Sequence, residues 1–320
     1  MKVDGKALTS IFKNKVILVT GGTGSIGKEI VKQLLSYEPK QIRVYSRDES
    51  KHFLLEEEIA DQDKNKVRSL IGDIRDKERL DIAFTGVDFV FHAAALKHVP
   101  YCEYNPFEAV KTNVLGTQNL IDLAIKHRVK KFIAISTDKA VYPNNVMGIS
   151  KLLMERLVVG AYNHQSTQFC VVRFGNVLNS RGSVVPTWIR QIKKGGPVTV
   201  TDKKMRRFFM SIPQAVSLVL NASYLSHGGE IFVLKMKEVS IYQFAKTVVK
   251  KYSPTGNIKI KIIGRREKEK ITEELFTQEE KENIIEATDF FVIIRDQDLL
   301  RLRKKDYTKR KYRKFFSPKI

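Results

Sequence analysis

The stretch Gly21-Gly22-Thr23-Gly24-Ser25-Ile26-Gly27 constrains this chain more than any other. It follows the apolar run Val16–Thr20 (VILVT) directly and leads into Lys28–Tyr37, where Ile30, Val31, Leu34 and Leu35 recur at helical spacing. A glycine string alone carries little weight. Between a buried strand and a helix it reads as a turn that lets the backbone approach a diphosphate, with the helix N-terminus offering N–H groups and a positive dipole end. Gly21, Thr23, Gly24, Ser25, Ile26 and Gly27 are therefore the candidate contacts to a dinucleotide.

The pattern that follows suits such a turn. Short apolar runs at Gln41–Tyr45, Val67–Ile71, Asp88–His92, Lys131–Ser136 and Gln168–Arg173 alternate with helical patterns at Phe53–Ala60, Ala109–His127 and Val146–Tyr162. Continuous apolar strands separated by helices predict a parallel sheet covered on both faces, and right-handed crossovers then give the doubly wound Rossmann α/β arrangement. Gly21, Gly24 and Gly27 are spaced G-x-x-G-x-x-G, which resembles the short-chain dehydrogenase/reductases. After Arg173 the pattern changes to short strands (Val198–Thr201, Ile231–Leu234, Lys259–Ile263) mixed with helices at Ile212–Ala222 and Ile241–Tyr252. We expect a dinucleotide-binding domain over residues 1–178 and about 206–232, a smaller α+β substrate lobe over about 179–205 and 233–300, and a basic tail over 301–320.

Composition narrows the class of protein. No run of eighteen apolar residues predicts a membrane span, and Met1–Lys15 lacks the apolar stretch of a signal peptide. Cys102 and Cys170 lie in no CxxC pair, which fits buried thiols in a reducing, cytoplasmic setting. The net charge is +22, read as a lysine-rich solvated surface rather than a nucleic-acid site. The tail is denser, with ten Lys or Arg from Arg301 to Ile320 against the single acidic Asp306. Its composition suits contact with acidic lipid or a partner, and equally disorder or packing on a neighbouring subunit. No metal-ligating pattern stands out.

Ligands of an open α/β sheet bind at the carboxyl ends of its strands. The second strand ends Tyr45-Ser46-Arg47, where a hydroxyl and a guanidinium suit a ribose 2′-phosphate better than a free 2′-hydroxyl, so the expected cofactor is NADP rather than NAD. Asp73 and Ile74 after the third strand are placed to bracket the adenine. The fourth strand ends His92-Ala93-Ala94-Ala95-Leu96-Lys97, with Ala93 and Ala94 small enough for a cofactor to pass and Lys97 aimed at phosphate or sugar. The fifth ends Ser136-Thr137-Asp138-Lys139, a hydroxyl, a carboxyl and an amine in succession, followed by Lys151 one helical turn beyond Met147.

The string STDKAVYPNNVMGISK resembles the inverting UDP-N-acetylglucosamine 4,6-dehydratases, extended short-chain dehydrogenases of polysaccharide biosynthesis. So do AAALKHVPYCEYNPFEAVKTNVLGTQNL, RFGNVLNSRGSVVPTWIRQIKKGGPVTVTD and the RRFFM around Arg207, so that the likeness runs from about Lys13 to Leu275. The family's Tyr-x-x-x-Lys pair is here Met147 and Lys151; some members also carry Met, and a thioether takes no proton. The resemblance implies UDP-N-acetylglucosamine as substrate, with Asp138 protonating the departing C6 oxygen, Lys139 a C5 base needing a depressed pKa, and Thr137 bonded to the C4 hydroxyl. Tyr142 is an alternative base. It implies Lys97, Asn176, Thr201, Arg207, Arg266 and Glu269 at the sugar nucleotide, adds Asn113 and Lys151 to the cofactor site, and implies a homo-oligomer. Where the family reads Arg-Pro-Gly-Glu-Lys, this chain reads Arg266-Glu267-Lys268-Glu269-Lys270, which puts that loop's geometry in question. Two other readings are a nucleotide-sugar 4-epimerase and a silent NADP-binding protein.

Overall fold

Fourteen strands order the structure, a computed structural model that describes residues 5–163, 166–253, 258–287 and 289–308. They are β1 (Val16–Thr20), β2 (Gln41–Ser46), β3 (Val67–Ile71), β4 (Phe89–His92), β5 (Lys131–Thr137), β6 (Gln168–Phe174), β7 (Asn176–Val177), β8 (Val198–Val200), β9 (Arg206–Met210), β10 (Glu230–Leu234), β11 (Glu238–Ser240), β12 (Ile260–Ile262), β13 (Ile284–Glu286) and β14 (Phe290–Ile294). Nine form one sheet in the order β13-β14-β10-β6-β5-β4-β1-β2-β3. From β3 through β10 every neighbouring pair is parallel, which is the doubly wound Rossmann arrangement expected from the apolar runs.

Alternation along the strands supplies two cores. Ile17, Val19, Phe89, Phe91, Ile133 and Val172 face one side, where the helices Gly5–Phe12, Ser25–Leu35 and Ile212–Leu225 cover them. Leu18, Val90, Phe132, Ala134 and Val171 face the other, under Lys77–Phe84, Gly116–Lys126 and Val146–Gly160. Burial on both faces explains why these strands read as unbroken apolar runs. A separate cluster holds the smaller lobe: Trp188 and Ile192 of the helix Val184–Lys193, and Ala245, Val248 and Val249 of Ile241–Tyr252, close over Val198 and Val200. There β8 pairs with β12, and β7, β9 and β11 make a three-stranded sheet.

Two elements depart from expectation. The helix read over Ala109–His127 starts at Pro106, and its turn Val110–Leu115 winds as a π-helix before the α-helix resumes at Gly116. Residues 284–294, expected in the smaller lobe, instead add β13 and β14 antiparallel to the edge of the large sheet. Arg301–Thr308 continues the helix Gln297–Thr308, and the remainder of the basic tail lies outside the described residues.

Candidate active site

The carboxyl ends of β1, β4, β5 and β6 open into a cavity of about 1340 Å³. At its floor the glycine-rich turn packs too tightly for side chains. A Cβ on Gly21, which sits at φ +65°, would stand 2.6 Å from the backbone nitrogen of Ala94, and one on Gly27 would stand 2.3 Å from the Gly21 carbonyl. Gly24 caps the helix Ser25–Leu35 with no side-chain bond, and no acidic residue occupies the first turn. A bare, uncapped helix N-terminus beside Ala93 and Ala94 fits the diphosphate of a dinucleotide. Thr23, Ser25 and Ile26 line the same wall.

The next strand ends carry the groups expected beside a ribose. Thr23 Oγ1 and Ser46 Oγ are 2.8 Å apart, and Arg47 lies 3.5 Å from Asp73. Asp73 is held mainly by Arg75, whose guanidinium keeps the carboxyl below its ordinary range against the opposing effect of burial. Ile74 is buried on the cavity wall. A feature the sequence did not suggest crosses above. The segment Ser180–Ser183 folds over the glycine-rich turn, with Arg181 donating its backbone N–H to Ser25 Oγ at 3.0 Å. Lys97, expected to face phosphate or sugar, lines the cavity with its amine donating to the Arg181 carbonyl at 2.8 Å. Burial and the charge of Arg181 lower its pKa.

Asn113 has a different place from the one expected. It is outside the cavity lining and 1% exposed; its side chain accepts from the Leu96 N–H and donates to the Leu96 carbonyl and Ser150 Oγ. These bonds fix the loop after β4. Thr201 also lies outside the lining, with its hydroxyl bonded to Met205 Sδ.

The chemistry-bearing cluster sits where β5 ends. Thr137 Oγ1 donates to Asp138 Oδ1 at 2.9 Å; Lys139 Nζ donates to the same oxygen at 2.9 Å and to Asn176 Oδ1 at 3.1 Å. Thr137, Lys139 and Asn176 line the cavity, but Asp138 is wholly buried behind them. Burial opposes the charge on Lys139, yet Asp138 and then Glu273, 3.8 Å away, outweigh it and raise the pKa. The direction is thus opposite to the depressed pKa expected of Lys139. Met147 is 3% exposed and packs on Cys102 and Ala109, and both cysteines are buried free thiols. One turn on, Lys151 donates to the Ile135 carbonyl, and burial pushes its pKa down to about 8 against the opposing charge of Glu155. Tyr142 is turned elsewhere, accepting the Gln278 N–H at 2.6 Å outside the cavity lining.

The opposite wall comes from β9 and the segment after β12. Arg207 is 5% exposed and donates to the carbonyls of Arg206, Lys270 and Ile271. It also stands 3.8 Å from Glu273 and 4.0 Å from Glu269. Arg266 and Glu269 reach the cavity in a loop closed by the Arg266 N–H on Glu269 Oε2. Lys268, at the place of the family's glycine, holds a left-handed φ of 58°, and its amine pairs with Glu103 at 2.8 Å. Glu273 was missed by sequence reasoning. It lines the cavity 6% exposed, and its Oε2 has no hydrogen-bond partner in the structure.

The family of polysaccharide biosynthesis proteins matches residues 17–295. The chain belongs to this family. A relative named UDP-N-acetylglucosamine 4,6-dehydratase (inverting) from Campylobacter jejuni is 44% identical over 288 residues, 88% of this chain and 84% of that protein. A relative from Rickettsia massiliae named UDP-glucose 4-epimerase is 43% identical over 294 residues, covering 89% and 84%. A Methanocaldococcus jannaschii protein named an uncharacterized membrane protein is 57% identical, covering 89% and 87%. Among the described residues here, no helix is long and apolar enough to cross a membrane. The structure of Pen from Bacillus thuringiensis superposes with a TM-score of 0.85 at 45% identity, covering 88% of this chain and 90% of that one. The chain is thus an extended short-chain dehydrogenase/reductase by fold, and a member of the nucleotide-sugar dehydratase and epimerase group of that superfamily.

Proposed function

We propose that the chain is an NADP-dependent, C5-inverting 4,6-dehydratase of UDP-N-acetylglucosamine. The observation that carries this reading is the set Thr137, Asp138 and Lys139 at the end of β5, joined by Asn176 of β7, in a cavity also lined by Lys151, Arg207 and Glu269. A 4-epimerase needs no group to protonate a departing hydroxyl, so a cluster of acid and base groups here favours dehydration. The 44% identity to a protein named for that reaction supports it. Ser46 and Arg47 at the end of β2 support NADP over NAD, since a guanidinium recognises a 2′-phosphate through paired charge-assisted bonds.

The glycine-rich turn Gly21–Gly27 with Ser46 and Arg47 would hold the dinucleotide, which when bound would supply a hydride acceptor for C4 and a hydride donor for C6, with no net consumption. The chain's own residues manage the protons. Thr137 receives the C4 hydroxyl in hydrogen bond, and the neutral amine of Lys139 takes that hydroxyl's proton as hydride leaves C4, then releases it to water before the next step. The 4-keto group acidifies the C5 proton, which Lys139 removes once its amine is neutral. Asp138, to which Thr137 and Lys139 both donate, gives the proton to the departing C6 oxygen, the role that the resemblance implies. Lys151 holds the strand end at Ile135 and offers the remaining amine protons to the ribose. Arg207 and Arg266 supply cations for the nucleotide's phosphates, and Met147 excludes water without touching a proton.

Incubation with UDP-N-acetylglucosamine in deuterated water, followed by NMR, tests the reading. A 6-deoxy-4-keto product deuterated at C5 is expected. A 4-epimer formed without loss of water would replace the dehydratase by the epimerase, and no reaction would leave only dinucleotide binding.

A further inference from the structure

The turn that brings Arg266 and Glu269 to the cavity lacks the residues that would preset it. The Glu269 N–H donates to the Arg266 carbonyl at 3.1 Å, so Glu267 and Lys268 take the two central positions, and Lys268 alone of the four holds a left-handed φ, 58°. Proline at the first central position fixes φ, and glycine at the second takes the left-handed backbone without steric cost. Glutamate and lysine do neither, so this turn must be held by contacts made elsewhere.

Three bonds reach from this segment to the chain that follows β4 and β5. Lys268 Nζ donates to Glu103 Oε2 at 2.8 Å, the Lys268 carbonyl accepts from Asn144 Nδ2 at 2.8 Å, and Lys270 Nζ donates to the Val141 carbonyl at 2.9 Å. Glu103 is itself anchored. It sits on the helix Val99–Tyr104, and its other oxygen accepts the Val146 N–H at 2.7 Å, at the start of the helix that carries Lys151. Each charge of the pair steadies the other. The bond from Lys268 is the main reason the Glu103 carboxyl lies below its ordinary range, and Glu103 in turn raises the Lys268 amine.

We propose that Lys268 is a positioning residue for the sugar nucleotide: its ion pair with Glu103 sets the Arg266–Glu269 turn against the cavity, so that Arg266 meets the diphosphate. This rests on the reading of the cavity as a nucleotide-sugar site. Both partners line that cavity, and their side chains are 45% and 29% exposed, so the tie is open to screening by salt. When the pair is broken, ordering the turn is added to what ligand binding costs. An exposed pair is worth about fivefold in an equilibrium constant at most, which sets the size of the effect.

Calorimetry with UDP on the full-length protein is the test, and UDP probes the diphosphate site whichever reaction follows. Lys268→Gln and Glu103→Gln should each weaken UDP binding by about three- to fivefold. Glutamine at 103 can still accept the Val146 N–H, so that variant removes the charge alone. The double variant should bind no more weakly than the weaker single one, because both remove the same pair. Dinucleotide affinity should not change in any of them. At about 0.5 M NaCl, where the screening length falls to about 4 Å, the difference between the unaltered protein and Lys268→Gln should vanish. Glu267→Pro with Lys268→Gly presets the turn, and should bind UDP as the unaltered protein does, now indifferent to Glu103→Gln and to the loss of the pair. A general loss of structure would not be rescued in this way. Unchanged UDP affinity in both single variants, additive losses in the double one, or a preset turn that still depends on Glu103 overturns the assignment. An unaltered protein that binds no UDP overturns it as well, and takes the nucleotide-sugar reading with it.

Discussion

Burial, more than residue type, sets the character of the groups around the end of β5. Asp138 and Glu273 are both buried carboxyls near Lys139, and each keeps one enclosed oxygen without a hydrogen-bond partner. Lys151 shows the same physics on an amine. Its pKa lies at about 8, whereas in the unfolded chain it returns to about 10.4. The burial penalty is complete below the lower value and vanishes above the higher one. The unfolded chain binds the extra proton between them, so stability should rise with pH through that window by up to about 1.4 kcal/mol per unit. Denaturant unfolding of the protein and of Lys151→Met across the window checks this: the variant should lack the rise. At the ribose end, Arg47 has a half-exposed side chain. Arg47→Ala should weaken NADP binding by about 1.5–3 kcal/mol and leave NAD binding nearly unchanged, as read by calorimetry. Equal losses for both would remove the case for NADP. Ser46, Arg47, Lys139 and Lys151 were legible because strand ends and one helical turn are local patterns. Glu273 was not, because only the folded chain brings it to Lys139. Asn113 misled for a related reason: a polar residue beside a site is as easily a clamp for a neighbouring loop, and only its bonds to Leu96 tell the two apart.

The elements that were read best are those whose faces are both buried. β1, β4 and β6 announce themselves as apolar runs, and the glycine-rich turn is fixed by contacts that no side chain tolerates. Gly27→Ala makes the point measurable. Its Cβ must displace the Gly21 carbonyl, which shapes the turn itself. The variant should be destabilised by about 1–3 kcal/mol and should lose dinucleotide affinity by tenfold or more, roughly 1.4 kcal/mol, while thermal unfolding still shows a single folded protein. Retained affinity would mean that the turn can relax without the ligand noticing. The elements read less well depend on partners. β13 and β14 look like short apolar runs of any lobe until β10 supplies the edge on which they pair. The π-turn at Val110–Leu115 carries no periodic signature, since its neighbours on both sides are ordinary α-helix.

At the scale of the molecule, one buried arginine ties the two halves of the site together. Arg173 extends from β6 and is 1% exposed; it binds both oxygens of Glu155, on the helix that also carries Lys151, and both oxygens of Glu280. Its remaining bond takes the Leu275 carbonyl, two residues after Glu273. Burial opposes this guanidinium's charge, and the two carboxylates more than offset it. Arg173→Met would leave Glu155 buried without its guanidinium and Glu280 with only Arg295, 3.5 Å away, at a cost of about 3–5 kcal/mol in denaturant unfolding. Neutralising both carboxylates in the same chain, Arg173→Met with Glu155→Gln and Glu280→Gln, should recover much of that stability, because what costs most is the unpaired charge rather than the missing bridge. Turnover should not recover with it. The Leu275 carbonyl still lacks its donor in the triple variant, so the segment carrying Glu273 loses its anchor to the sheet that carries Lys139. A triple variant that regains both stability and product formation would show that Arg207 alone suffices to hold Glu273 in place.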